Sequence, residues 1–390
     1  MREKICLLCL LLAMSFCVRT PTDAEKIIEG GIEVVINPYN LDPKEPLFSL
    51  EKEFVIDLEE EEMAALGLTD VWGFDVDSEE SIYIYKPPMS EGDRILKFDR
   101  NGDFLFSFAP PGQGPGEIQS PSYQKMNSRD LLPVPDLGQS KIVIFDTEGK
   151  TIDEIRVRGF PGSLGSMVCQ LENGNYLIRH SLTDPTSGIF YLALSLYSSD
   201  FEEIKELDRF KIVQPIQADK VRIPMHVSVW CASYDRIYIG NEDNGYEVHV
   251  YDLDGNLLRK IRKKYEPVKV DEDYKREIGD KLENTPDALK NKMYFPDYYP
   301  PFNYLFSDDK NNLYVKTFAK GDSPKDRLFD VFNPEGIFQG TVSIEAHVND
   351  PFFTPGAPFD SWVVAKKKNR LYCLREKSSG YKEFVVYRLD

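Results

Sequence analysis

The feature that most restricts the fold of this chain is a repeated strand. Six segments share one form, an apolar run closed by an aromatic ring: residues 95–98, 142–145, 193–197, 248–251, 329–332 and 384–387. The closing rings Phe98, Phe145, Tyr197, Tyr251, Phe332 and Tyr387 stand 47, 52, 54, 81 and 55 residues apart. A unit of about 40–50 residues holding four short strands cannot bury its apolar faces alone. Stacked around an axis, such units make a propeller. The pattern therefore predicts an all-β protein, a six-bladed β-propeller.

The turns repeat in step with the strands. Asp99-Arg100-Asn101-Gly102, Asp146-Thr147-Glu148-Gly149, Asp252-Leu253-Asp254-Gly255 and Asn333-Pro334-Glu335-Gly336 follow the aromatic of their repeats. Gly supplies positive φ there, and the Asp or Asn side chain caps the turn. A second set of hairpins, at residues 77–80, 172–175, 233–236, 308–312 and 366–369, separates the first two strands of a repeat. Repeat two is irregular, with Leu131-Leu132-Pro133-Val134-Pro135 where its second strand is expected. The sixth repeat ends at Asp390 after its third strand, while residues 53–58 precede the first repeat. Lending that segment to the last blade closes the ring and removes two sheet edges. The long 81-residue interval holds an insert, residues 265–301, in which 271–278 and 285–290 read as short amphipathic helices. Long connections of this kind are usually functional or capping elements.

Three local motifs carry a family resemblance. They are Gly112-Gln113-Gly114-Pro115-Gly116-Glu117, Tyr265-Glu266-Pro267-Val268, and Tyr299-Pro300-Pro301-Phe302 ahead of Leu313-Tyr314-Val315. With these, the chain resembles the exported bacterial NHL-like six-bladed β-propellers, a largely uncharacterised group. The resemblance covers essentially everything after the first 24 residues. It implies the fold and says little about activity.

Those first residues form a separate signal. Arg2 and Lys4 precede an apolar run from residue 5 to 18, and Thr22-Asp23-Ala24 supplies small residues for cleavage before Glu25. The arrangement predicts a signal peptide at 1–24 and a propeller at 25–390, exported to a periplasmic or extracellular location. The alternative is a lipid anchor at Cys17 that would hold the protein at the outer membrane. No later segment has the ~20 consecutive apolar residues of a transmembrane helix. Of six Cys, Cys6, Cys9 and Cys17 fall in or beside the signal, leaving Cys169, Cys231 and Cys373. Three widely spaced thiols imply no disulfide framework; they read as small buried residues.

Composition narrows the function. Against 47 Lys+Arg stand 65 Asp+Glu, a net charge of −18, so the mean field repels nucleic acid. No His-Glu-x-x-His, Gly-x-Ser-x-Gly or Cys/His metal spacing occurs, and no cofactor, metal or catalytic residue is assigned. The Gly112–Gly116 run lacks the Lys and the helix of a phosphate loop, and reads as a rigid connection. Asp252-Leu253-Asp254-Gly255 misses the calcium-loop spacing and reads as a hairpin. The inner strands, with Trp72, Trp230 and Trp362 among them, are apolar and aromatic, which favours a filled axis. Six residues on connections expected to share one channel mouth form the candidate ligand site: Glu117, Arg179, His180, Arg222, His226 and His347. Taken singly, each is more commonly a solvated loop residue; only their convergence would make a pocket. The expected function is a scaffold that binds an unidentified protein or small molecule without chemistry of its own. The competing class is a metal-dependent propeller hydrolase or lactonase, which needs several carboxylates converging on the axis.

Overall fold

The computed structural model describes residues 24–39, 47–121, 125–157, 167–184, 186, 189–212, 219–224, 226–283, 285–321, 327–345 and 364–389. Residues 1–23 of the expected signal segment, Cys17 among them, and Trp362 and His347 lie outside them. A hairpin (β1, Glu25–Glu29; β2, Ile32–Asn37), a long strand (β3, Leu50–Asp57) and one helical turn (α1, Glu61–Ala65) precede the first blade. Blade 1 comprises β4 (Gly73–Val76), β5 (Ile82–Tyr85), β6 (Ile95–Phe98) and β7 (Phe104–Phe108), and blade 2 β8 (Leu132–Asp136), β9 (Lys141–Phe145) and β10 (Thr151–Arg156). Blade 3 holds β11 (Met167–Gln170), β12 (Tyr176–Thr183), β13 (Phe190–Tyr197) and β14 (Glu203–Ile212). After a two-residue strand, β15 (Val221–Arg222), blade 4 follows with β16 (Ser228–Ala232), β17 (Ile237–Asn241), β18 (Glu247–Tyr251) and β19 (Leu257–Lys263). The insert supplies α2 (Glu272–Lys281), α3 (Asp287–Lys290) and β20 (Met293–Tyr294). Blade 5 is β21 (Tyr304–Ser307), β22 (Leu313–Lys316), β23 (Arg327–Phe332) and β24 (Phe338–Ile344); blade 6 is β25 (Val364–Lys367), β26 (Arg370–Glu376) and β27 (Lys382–Leu389).

This is a six-bladed β-propeller, and every repeated strand read from the sequence is the third strand of a blade. Within each blade the strands pair antiparallel in chain order. The ring closes where expected. β3 pairs antiparallel with β27, Val55 opposite Val385, and completes blade 6. Blade 2 keeps its second strand in spite of two prolines: β8 pairs with β9 from Leu132 to Asp136. Its irregularity lies one strand earlier, where Pro121 bridges to Asp136 and no regular inner strand forms among the described residues.

The hairpin β1–β2 was not anticipated. It adds two strands outside blade 4, with β2 running parallel to β19. Asn37, fully buried, donates from Nδ2 to the Gly336 carbonyl (2.9 Å) and accepts from the Phe338 N–H (2.8 Å). One amide thereby satisfies two backbone groups of the next blade, which a buried apolar side chain would leave unpaired.

The core is a ring of apolar clusters at the seams between blades. Phe74 and Phe384 meet edge-on at 4.7 Å across the closing seam, and Phe108 meets Phe145 at 5.2 Å between blades 1 and 2. The turn chemistry follows the sequence reading: Asp99, Asp146, Asp252 and Asn333 each accept two backbone N–H bonds from their own turns. The insert folds as two helices. Asp271 caps α2 by accepting the Tyr274 N–H at 2.9 Å, and Tyr274, Ile278 and Leu282 pack on Ile223. β20 pairs with β15, which ties the insert to the connection entering blade 4.

Candidate functional site

Inner strands of a closed ring all run the same way, so their last residues converge at one end of the axis. Here that end is lined by short or charged side chains: Asp75 and Val76 of β4, Val168 and Cys169 of β11, Ala232 of β16, Ser307 of β21, and Ala365, Lys366 and Lys367 of β25. Lys125 and Met126 of blade 2 complete the circle. Small residues cannot fill an axis bounded by six blades, and a cavity of about 100 Å³ results. Phe74, Trp230 and Phe306 supply its aromatic wall. The expectation of a filled axis is corrected by this cavity. Trp230 is buried at its wall, whereas Trp72 is 39% exposed and is not the core residue expected.

The rim is held by the first hairpin of each blade. Ser78 donates from Oγ to Asp130 (2.5 Å), and Ser128 from Oγ to Glu172 (2.7 Å). Asn311 donates to Asp235 (2.8 Å), the Lys368 N–H to Asp309 (2.9 Å), and the Lys368 ammonium to the Ser78 carbonyl (2.7 Å). These bonds cross five of the six seams, so the opening is set by the ring as a whole.

The cavity's charges are unevenly matched. Lys366 is paired with Asp308 at 2.8 Å. The Lys367 ammonium donates to the Val76 carbonyl at 2.9 Å, and the Lys125 ammonium donates to the Ala232 carbonyl at 3.5 Å while lying 5.5 Å from the Tyr234 ring centre. Asp75 takes the N–H groups of Val76 (2.8 Å) and Met126. Burial raises the Asp75 pKa against those hydrogen bonds and the nearby Lys125 charge. Burial also lowers the pKa of Lys367, opposed by Asp75. The Cys231 thiol is pushed up to about 12, chiefly by burial, which keeps it protonated and unreactive. Cys169, Cys231 and Cys373 are all free and buried, as expected.

Of the six residues singled out from the sequence, the five that are described lie away from this cavity. Arg222 and His226 precede β16, and Arg179 pairs with Met167 at the start of β11 with His180 next after it, so these four belong to the opposite end of the blades. Three of them meet in one network at the seam of blades 3 and 4. Arg179 donates from Nη2 to the Ser228 carbonyl (2.9 Å) and lies over the Phe210 ring, which stacks on His226 at 5.3 Å. His226 and Arg222 share Glu242, at 3.2 and 2.5 Å. Burial brings the Arg179 pKa down to about 10, so its charge persists at neutral pH. His180 sits within hydrogen-bond reach of Ser195 and Tyr197, and burial lowers its pKa. Glu117 folds back on its own loop to accept the Gly114 N–H at 2.7 Å. Three of the candidates thus meet at the seam of blades 3 and 4, and none of the five described lines the cavity. The missed signal was charge at the ends of inner strands, in Asp75 and Lys366-Lys367.

Among the described residues no three His, Cys, Asp or Glu side chains stand together as a metal's ligand set. None of the described helices is long and apolar enough to cross a membrane.

Residues 73–212 match the DUF5128 family, described as a 6-bladed beta-propeller. No curated protein matches the sequence. Similar solved structures include a member of the DUF4221 family from Bacteroides vulgatus, at 12% identity and TM-score 0.48, covering 88% of this chain and 98% of that one. A streptogramin B lyase is similar at 9% identity and TM-score 0.39, over 88% of this chain and 98% of its own. A catalytically inactive virginiamycin B lyase from Staphylococcus aureus with quinupristin is similar at 9% and 0.38, over 87% and 99%.

Proposed function

We propose that the protein is an exported binding propeller that holds a small molecule in the axial cavity. The observation that carries this reading is the cavity itself, an apolar pocket with a few polar groups, contributed by all six blades and rimmed by cross-seam hydrogen bonds. A site so built is pre-formed, which lowers the ordering cost of binding. The charged start and apolar run of residues 2–18, with Thr22-Asp23-Ala24 after it, support export. The metal-dependent hydrolase reading would require three ligand side chains converging on one point, and no such group stands together among the described residues.

The test is ligand-observed NMR with small aromatic and branched aliphatic molecules, on the wild-type protein and on Ala365→Trp, which puts an indole into the cavity. Binding to the wild type that disappears in the variant is expected. Binding that survives in Ala365→Trp would move the site off the axis. Zn²⁺ and Ca²⁺ are expected to leave the melting temperature unchanged, because a bound ion would raise it by mass action. The intact mass of the exported protein separates cleavage before Glu25 from lipid at Cys17.

A further inference from the structure

We propose that the axial cavity selects small organic anions, a carboxylate on a compact apolar body, through the ammonium groups of Lys125 and Lys367. This rests on the cavity being the binding site. The two lysines stand on different blades and line the same pocket. Neither is paired with a carboxylate among the described ion pairs; each gives one hydrogen bond to a backbone carbonyl, Lys125 to Ala232 and Lys367 to Val76. An ammonium has three donors, so both retain donors for a ligand.

The acids nearby do not cancel this preference. Lys366 already has Asp308, as close as 2.8 Å. Asp75 is buried, with its oxygens turned to the N–H groups of Val76 and Met126. Burial also favours its neutral form. Asp309, also in the lining, accepts the Lys368 N–H on the rim with Oδ2, while its buried Oδ1 has no hydrogen-bond partner. The chamber thus holds two ammonium groups without a carboxylate partner against one acid, Asp309, that keeps an oxygen free of hydrogen bonds. A charge-assisted contact to a carboxylate is stronger there than in water, because the surrounding wall lowers the local dielectric. A cation of the same shape meets repulsion, and a neutral amide gains the apolar contact without the charge.

Three probes of one shape test it: 3-phenylpropionate, 3-phenylpropanamide and 3-phenylpropylammonium, titrated calorimetrically into the wild-type protein at pH 7. The carboxylate is expected to bind at least ~10-fold more tightly than the amide, about 1.4 kcal/mol, with the ammonium weakest. In Lys125→Met/Lys367→Met, the carboxylate should fall to within about threefold of the amide while amide binding persists. If the double variant does not fold, the wild-type order decides alone. An amide or ammonium that binds as well as the carboxylate, and is blocked by Ala365→Trp, overturns the anion preference and leaves the cavity as the site. Failure of all three probes, or binding indifferent to Ala365→Trp, overturns the cavity reading and this inference with it.

Discussion

His226 shows how one residue's surroundings set a pH dependence. Burial opposes its protonation, but the hydrogen bond and charge of Glu242, with Asp243 and Asn241, outweigh it and raise the pKa above 6.5. A group with a raised folded pKa contributes its stability in full below the unfolded value near 6.5. That contribution is lost as pH rises through the folded pKa. His226→Gln is therefore expected to cost most at pH 5.5–6 and progressively less toward pH 8, measured by urea unfolding across that range. The same penalty at every pH, or one that grows with pH, would show that the imidazolium–Glu242 pair does not hold this seam. The pair's role is structural: His226 fixes the Phe210 ring against which Arg179 rests.

At the scale of elements, the turn glycines do two jobs that the sequence pattern merges. Gly149 has φ +72°, and a Cβ there would come within 2.7 Å of the Phe108 ring on the preceding blade. Gly174, at φ +87°, has nothing within 4 Å of the same position. Both substitutions to Ala strain the backbone, by about 1–2 kcal/mol. Only Gly149→Ala also overpacks a seam, adding about 1–3 kcal/mol. Chemical denaturation should therefore place Gly149→Ala clearly below Gly174→Ala, and equal losses would mean that the turn does not dock on the neighbouring blade. First hairpins confirm the contrast from the other side. Glu80, Asp130, Asn311 and Lys368 take positive φ without being glycine. This separation explains what could be read in advance. Strand repeats and Asx-Gly turns are local, so they were legible, as was closure by β3, which follows from a missing fourth strand. The hairpin β1–β2 was not legible, because the partners of Asn37 are more than 200 residues away, Arg262 on blade 4 and Gly336 and Phe338 on blade 5. The cavity was missed for a related reason: Asp75 and Lys367 look like ordinary hairpin charges until the inner-strand ends of the blades meet on one axis.

For the whole molecule, the two N-terminal pieces carry unequal weight. β1–β2 is an annex to a finished blade: it holds Arg259 through Glu33 (2.6 Å) and Asn37 bridges to blade 5, but the ring is complete without it. β3 is part of the ring, with Ile56 buried at the seam of blades 6 and 1, and without it β27 would offer an open edge. A chain starting at Leu47 is accordingly expected to melt cooperatively at a lower temperature than the full propeller. The single substitution Ile56→Asp puts an unpaired carboxylate into the closing seam, a change that costs several kcal/mol and more than ordinary surface losses. It should do the greater harm, with loss of the cooperative melt or aggregation through the freed edge. The comparison is made by calorimetry on the two proteins under one set of conditions. Should the shortened chain fail to fold while Ile56→Asp still melts cooperatively, closure of the ring would not be the contact on which the fold depends. The axial cavity would then have to be explained without it, since its rim of cross-seam bonds keeps one shape only in a ring that is shut.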